Sequence, residues 1–140
     1  MKNNINWNFD NTYSKLPEPF REKINPVKVK NPKLILLNES LAKDLNLDFS
    51  EISQSELSAV FTGNELPKNS NSIAQAYAGH QFGHFTMLGD GRAVLIGEHV
   101  SKENHRYDIQ FKGSGKTAFS RNGDGLSLIH ISEPTRQIRI

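Results

Sequence analysis

The chain has 140 residues, enough for one modest domain with its own core and too few for two. Apolar residues make up 36% of the chain, which fits a globular segment rather than a disordered one, and the net charge of only +2 argues against nucleic acid or a membrane surface as the main partner. Cysteine is absent, so disulfides and thiolate chemistry are excluded. The start of the chain has no apolar signal-like run, and we expect a cytoplasmic protein of bacterial type.

The first 30 residues predict an extended, turn-rich arm, because prolines at 17, 19 and 26 interrupt any regular element. Short strand-like pieces are expected within it, such as Val27–Val29. Leucine spacing then predicts a helix over Glu39–Leu47.

A second helix begins after Ser53, which forms a capping-box pattern with Glu56. It is expected to run to about Phe61 and to stop at Gly63. A third short helix is expected over Ser72–Ala78.

The chain then changes from helical to strand-like patterns. Arg92–Glu98 reads as a mostly buried strand, and Arg106–Lys112 alternates apolar and polar residues. The polar connection between them predicts an antiparallel hairpin, with Tyr107, Ile109 and Phe111 on one face and Asp108, Gln110 and Lys112 on the other. The predicted class is therefore α+β.

Gly89–Arg92 comes directly before the hairpin. Its glycines would let the backbone approach an anion closely, although these four residues by themselves favour a tight Asp-Gly turn. Lys112 ends the second strand before Gly113 and Gly115, where kinase-like folds carry a phosphate-contacting lysine. Turn, hairpin and lysine together favour a phosphate site over a solvated edge lysine, and no Walker-type loop is present.

Two further patterns are weaker. His80 and His84 are four residues apart, but the glycines around them argue against a helix, and structural hydrogen bonding is favoured over a metal site. Arg121, Asp124 and Gly125 lie in a second glycine-rich stretch that alone indicates only a loop.

In order and spacing, these stretches resemble the selenoprotein O family from about residue 8 to 125. The matching segments are Phe9–Asn11, Phe61–Asn64, Tyr77–Gly83, Leu88–Ala93, Asp108–Gly115, Phe119–Arg121 and Asp124–Gly125. The resemblance implies a protein-kinase-like fold that transfers AMP from ATP, bound in a flipped orientation with Mg²⁺, to Ser, Thr or Tyr hydroxyls of proteins.

By that resemblance, Gly89, Gly91 and Arg92 belong to the nucleotide-binding turn and Lys112 contacts phosphates. Asp124 and Gly125 would complete the pocket. The same resemblance implies that the catalytic base, the Mg²⁺ ligands and the second lobe follow Gly125, so no catalytic or metal residue is assigned within this chain.

After Gly125 the chain departs from the family pattern. Residues 126–136 match a translated sequencing-adapter end, which favours residues 1–125 as the N-terminal part of a kinase-like domain and 126–140 as an artefact. As such a fragment, the chain is expected to be inactive and poorly folded.

Three alternatives stay open from the sequence. One keeps the kinase fold but performs phosphoryl transfer, and another is a non-catalytic nucleotide-binding scaffold. The third is an unrelated β-rich interaction module with Gly-Asp turns.

Overall fold

The computed structural model describes residues 5–81 and 83–125, so the expected artefact at 126–140 lies outside the described residues. Within these ranges the chain is α+β, which confirms the predicted class. The elements in chain order are β1 (Arg21–Lys23), α1 (Glu39–Asp44), α2 (Gln54–Phe61), β2 (Ile73–Gln81), β3 (His84–Gly89), β4 (Ala93–Val100) and β5 (Arg106–Lys112), with 3-10 turns at Tyr13–Lys15 and Glu18–Phe20. No helix in the described ranges has the length and apolar character needed to cross a membrane.

The strands form one antiparallel sheet in the order β1-β2-β4-β5, and β3 pairs with β2 outside that order. The long strand β2 has two sets of partners: its start pairs with β1 and, at Ile73, with Leu95 of β4. Its second half, from Ala76 onward, pairs with β3. The β2–β3 hairpin therefore extends beyond the four-stranded part of the sheet.

The helix predicted over Ser72–Ala78 is wrong, because all of these residues after Ser72 lie in β2. Alanine favours helices, but propensity is a weak prior that strand pairing overrides. Ala74 and Ala76 are buried at the positions that alternate with Ile73 and Gln75, and Ala74 pairs with Glu22 of β1.

The other local predictions agree better with the structure. Helix α2 has Ser53 as its N-cap with both capping-box bonds formed, and it ends at Phe61, two residues before Gly63. Helix α1 is shorter than predicted, ending at Asp44. The strand-like piece at Val27–Val29 is not a strand; Val29 is held instead by two hydrogen bonds to the Asn64 side chain.

The predicted β4–β5 hairpin is confirmed, with Ala93 opposite Lys112 at one end and Val100 opposite Arg106 at the other. Two apolar clusters cover one face of it. The first contains Ile5, Leu45, Leu47 and Val60, and the second contains Val94, Ile96 and Phe111. Half-buried Ile109 packs against both clusters, as its position in the alternating strand predicts.

The N-terminal arm, here residues 8–13, crosses the second half of β4. Phe9 forms a β-bridge with His99, and backbone bonds join Asp10 to Glu98 and Asn8 to Val100, each at 2.9 Å. Buried His99 accepts a bond from the Asn8 amide at Nδ1 and donates one from Nε2 to the Leu45 carbonyl. The arm is thereby joined both to the sheet and to the helical layer.

Candidate functional site

The predicted site residues lie on three separate parts of the chain, which the structure brings to one end of the β4–β5 hairpin. The Gly89–Arg92 turn connects β3 to β4, and Lys112 is the last residue of β5. Lys112 lies opposite Ala93, and the Gly113 amide donates to the Arg92 carbonyl at 2.7 Å. The exposed Lys112 and half-buried Arg92 are therefore neighbours across two strands.

The 113–125 loop carries the remaining predicted residues back to the same place. The Gly115 amide donates to the Gly125 carbonyl at 3.3 Å, so the end of the loop returns to its beginning. Gly125 packs so closely on Gly115 that a Cβ there would overlap the Gly115 carbonyl. Asp124 and Gly125 thus lie near the end of β5, although Gly125 comes thirteen positions after Lys112 in the sequence.

Two hydroxyl groups join this loop to the Gly89–Arg92 turn. The Thr117 hydroxyl donates to the Asp90 carbonyl, and the Ser120 hydroxyl donates to the Gly91 carbonyl, each at 2.6 Å. Sequence reasoning did not single out Thr117, because a lone threonine in a glycine-rich loop carries no recognisable pattern.

The two glycines of the turn are explained by Phe119, which lies between these two anchors. A Cβ on Gly89 would enter the Phe119 ring, and one on Gly91 would come within 2.7 Å of the Phe119 carbonyl oxygen. The sequence interpretation was that these glycines allow a ligand to approach. The structure shows the protein's own loop on that side, so a ligand must meet the turn from another side.

A polar face lies next to the turn, on the same side of β5 as Lys112. The Gln110 side chain donates to the Gln75 side chain at 2.9 Å, and the Gln75 amide donates to an Asp90 carboxylate oxygen at 3.3 Å. In return, the Asp90 amide donates to the Gln75 carbonyl at 2.9 Å. These contacts fix the turn against β2.

Tyr13 brings the arm to this polar face, since its hydroxyl donates to the Ala76 carbonyl at 3.3 Å. Burial raises the pKa of Tyr13, and the carboxylates of Asp90 and Asp108 raise it further because they disfavour a second negative charge. Neither Tyr13 nor Gln75 was predicted from the sequence as part of the site. The alternation of β5 correctly gave Gln110, but the false helix at 72–78 hid its partner Gln75.

The two histidines do not form a shared site. His80 lies opposite Phe85 in the β2–β3 hairpin, with ring centroids 5.7 Å apart, whereas His84 lies opposite Gln81. Adjacent strand positions point to opposite faces, so His80 and His84 lie on different faces of the hairpin. Across residues 5–81 and 83–125, no cluster of three or more His, Asp or Glu side chains is arranged to hold a metal ion.

Comparison with known proteins identifies the family of this chain. The family model described as "Protein adenylyltransferase SelO" matches residues 3–132. The chain therefore belongs to the SelO family, which confirms the resemblance seen in the sequence.

Curated relatives agree with this assignment, and all carry the name "Protein nucleotidyltransferase YdiU". The one from Pelagibacter ubique is 66% identical over 125 residues, covering 89% of this chain and 26% of the relative. Those from Anoxybacillus flavithermus and Nitrosococcus oceani are 57% and 56% identical, covering 90% and 89% of this chain and 26% and 25% of the relatives. The chain thus spans about a quarter of the length of the curated relatives it matches.

Proposed function

We propose that this chain forms the nucleotide-binding part of a protein adenylyltransferase that uses ATP. The observation that carries the proposal is the convergence of three segments at one end of the β4–β5 hairpin: the Gly89–Arg92 turn, Lys112 and the Asp124–Gly125 end of the loop. Membership of a family whose relatives are named protein nucleotidyltransferases supports nucleotide chemistry there.

In this reaction a Ser, Thr or Tyr hydroxyl oxygen of a protein substrate attacks the α-phosphorus of ATP. The bond from that phosphorus to the bridging oxygen breaks, pyrophosphate leaves with the electron pair, and the hydroxyl proton passes to a base. Lys112 and Arg92 would neutralise phosphate charge and hold the chain of phosphates, which is the main demand of such transfers. Gly89, Gly91, Asp124 and Gly125 would complete the pocket around the nucleotide.

Mg²⁺ accompanies ATP in this proposal, but the described residues offer no cluster of three or more His, Asp or Glu side chains that could hold the ion. The sheet with Lys112 on its exposed polar face is proposed as part of the N-terminal lobe of a kinase-like fold formed by residues 1–125. The flipped orientation of ATP and the cytoplasmic location remain predictions of the same hypothesis.

A chimeric enzyme tests the proposal. Residues 1–125 joined to the remaining three-quarters of the Pelagibacter ubique relative would be incubated with ATP labelled at the α- or the γ-phosphate. We expect label on protein from the α-position only. Label from the γ-position would indicate phosphoryl transfer, and nucleotide binding without label would indicate a scaffold.

Lys112→Ala in the chimera should lower AMP transfer by about 10²-fold or more, because a positioned cation opposite the phosphates is lost. Lys102→Ala is the matched control, since Lys102 is also exposed but lies beyond the opposite end of β4. Unchanged turnover in Lys112→Ala would remove Lys112 from the site.

A further inference from the structure

The attachment of the 113–125 loop depends on two hydroxyl groups that each make two bonds. The Thr117 hydroxyl donates to the Asp90 carbonyl at 2.6 Å and accepts from the Phe119 amide at 3.1 Å. The Ser120 hydroxyl donates to the Gly91 carbonyl at 2.6 Å and accepts from the Thr117 amide at 2.8 Å. Each hydroxyl therefore bonds both to the loop's own backbone and to the turn. Removing either hydroxyl oxygen would break two hydrogen bonds at once.

We propose that Thr117 and Ser120 are positioning residues of the nucleotide site, which hold the 113–125 loop and the Gly89–Arg92 turn as one rigid unit. The inference rests on the proposed function. It adds that the geometry between Arg92 on the turn and Gly125 on the loop is set by residues that do not themselves contact ATP.

The bonds span a long sequence distance and end on adjacent carbonyls, which distinguishes them from ordinary turn contacts. They join residues 27 and 29 positions apart, and the two accepting carbonyls belong to Asp90 and Gly91 in the middle of the turn. Phe119 fills the space between the two anchors by packing on Gly89. Loss of either hydroxyl would thus change how loop and turn face each other.

The loop has another attachment that does not involve the turn. The Ala118 amide donates to the Glu22 carboxylate of β1 at 2.6 Å. Removing the Thr117 hydroxyl would therefore leave the loop joined to β1, and to Gly91 through Ser120, while its bond to Asp90 is lost. The expected defect is a misplaced loop rather than an unfolded protein, and this separates positioning from general stability.

The experiment uses the chimera of residues 1–125 with the remaining part of the Pelagibacter ubique relative, and a fluorescent ATP analogue. Thr117→Val removes the hydroxyl with little change of shape, Thr117→Ser retains it, and Ser120→Ala removes the second anchor. The matched controls Thr62→Val and Ser58→Ala each remove a hydroxyl that bonds a backbone carbonyl at 2.7 Å in α2, away from the loop. Hydrogen exchange of peptides covering residues 113–125 reports loop attachment independently of ATP, and urea unfolding reports stability.

We expect Thr117→Val and Ser120→Ala to weaken binding of the analogue about five- to tenfold and to speed exchange across the loop, since a hydrogen bond is worth about 1 kcal/mol. Thr117→Ser should preserve binding, and the two α2 controls should bind as the unaltered chimera does even where urea unfolding shows them less stable.

Three results would overturn the inference, and they differ in what they leave standing. Faster loop exchange with unchanged binding would refute the positioning role and spare the proposed function. Equal loss of binding in the α2 controls would assign the effect to stability alone. A lack of binding by the unaltered chimera would contradict the nucleotide site itself, and the inference would fail with it.

Discussion

Two distant segments cross the same sheet, and each packs an aromatic ring on a glycine. Phe9 of the N-terminal arm lies on Gly97 of β4, where a Cβ would come within 2.5 Å of its ring, and Phe119 of the 113–125 loop lies on Gly89. The anchors beside the rings differ. The arm is held chiefly by charged groups around Glu98, whereas the loop is held to the turn by neutral hydroxyls.

The two kinds of anchor indicate what the arm and the loop each contribute to the fold and to the site. Glu98 is 5% exposed, and its two carboxylate oxygens accept bonds from the Thr12 hydroxyl at 2.6 Å and the Tyr13 amide at 2.7 Å. Arg106 lies 3.5 Å from the same carboxylate and also binds Asp10 at 2.6 Å. A buried carboxylate with saturated acceptors is costly to disrupt, so the arm belongs to the stable fold. The neutral bonds, worth about 1 kcal/mol each, contribute less to stability and chiefly fix the position of the loop relative to the turn.

The largest expected effect follows from removing the charged anchor. Glu98→Ala should lower the free energy of unfolding by about 3 kcal/mol, because the Thr12 hydroxyl, the Tyr13 amide and Arg106 all lose the buried carboxylate that they contact. Urea unfolding measures it, with the exposed Glu51→Ala as the matched control. A loss no greater than that of the control would show that the arm is not anchored through Glu98.

A pair of glycine variants tests the two crossings directly. Gly97→Ala should cost about 1–3 kcal/mol of unfolding free energy, since the new methyl group meets Phe9 in a packed region. Gly89→Ala should cost less stability, because Phe119 and its loop can move away, but it should weaken binding of the ATP analogue more than Gly97→Ala does. The reverse ranking in both measurements would mean that the two segments have the opposite roles, with the loop stabilising the fold and the arm supporting the nucleotide site.

Local patterns in the sequence predicted the parts of the fold that local physics decides. The capping box at Ser53 and the alternation of β5 specify α2 and the β4–β5 hairpin from a few neighbouring residues each. Strand β2 was wrongly predicted as a helix, because its alanines are equally compatible with one. Only its pairing with β1, β3 and β4, which lie at other points of the chain, decides that it is a strand.

The candidate site, like the fold, could be predicted from the sequence only in part. Sequence order and resemblance gave the Gly89–Arg92 turn, Lys112 and the Asp124–Gly125 end of the loop as one group, and the structure brings these segments together. Their roles toward ATP stay predictions. Thr117 and Ser120 were not predicted, because a hydroxyl on a carbonyl 27 or 29 residues away leaves no periodic trace in the sequence.

The smallest expected effect concerns pH and the outer part of the arm's anchor. A hydrogen bond and the positive charge of Arg106 hold the pKa of Asp10 below its ordinary value of 3.8. Because the pKa is lowered in the folded state, the Asp10 contribution to stability is present above that ordinary value and is lost as the pH falls through the lowered one. Asp10→Asn should therefore unfold at a slightly lower temperature than the unaltered chain near pH 6, and this difference should shrink as the pH falls below about 4.

The matched control is Asp44→Asn, at an exposed position in α1. Asp10 is itself exposed, so solvent screens its ion pair with Arg106, and added salt should reduce the Asp10→Asn difference at pH 6. Glu98 is buried beside the same guanidinium, and the effect of Glu98→Ala should change little with salt. Equal salt sensitivity of the two variants would mean that the arm is held by surface attraction alone. The arm would then have no charged anchor within the fold to contrast with the neutral hydroxyls that hold the loop.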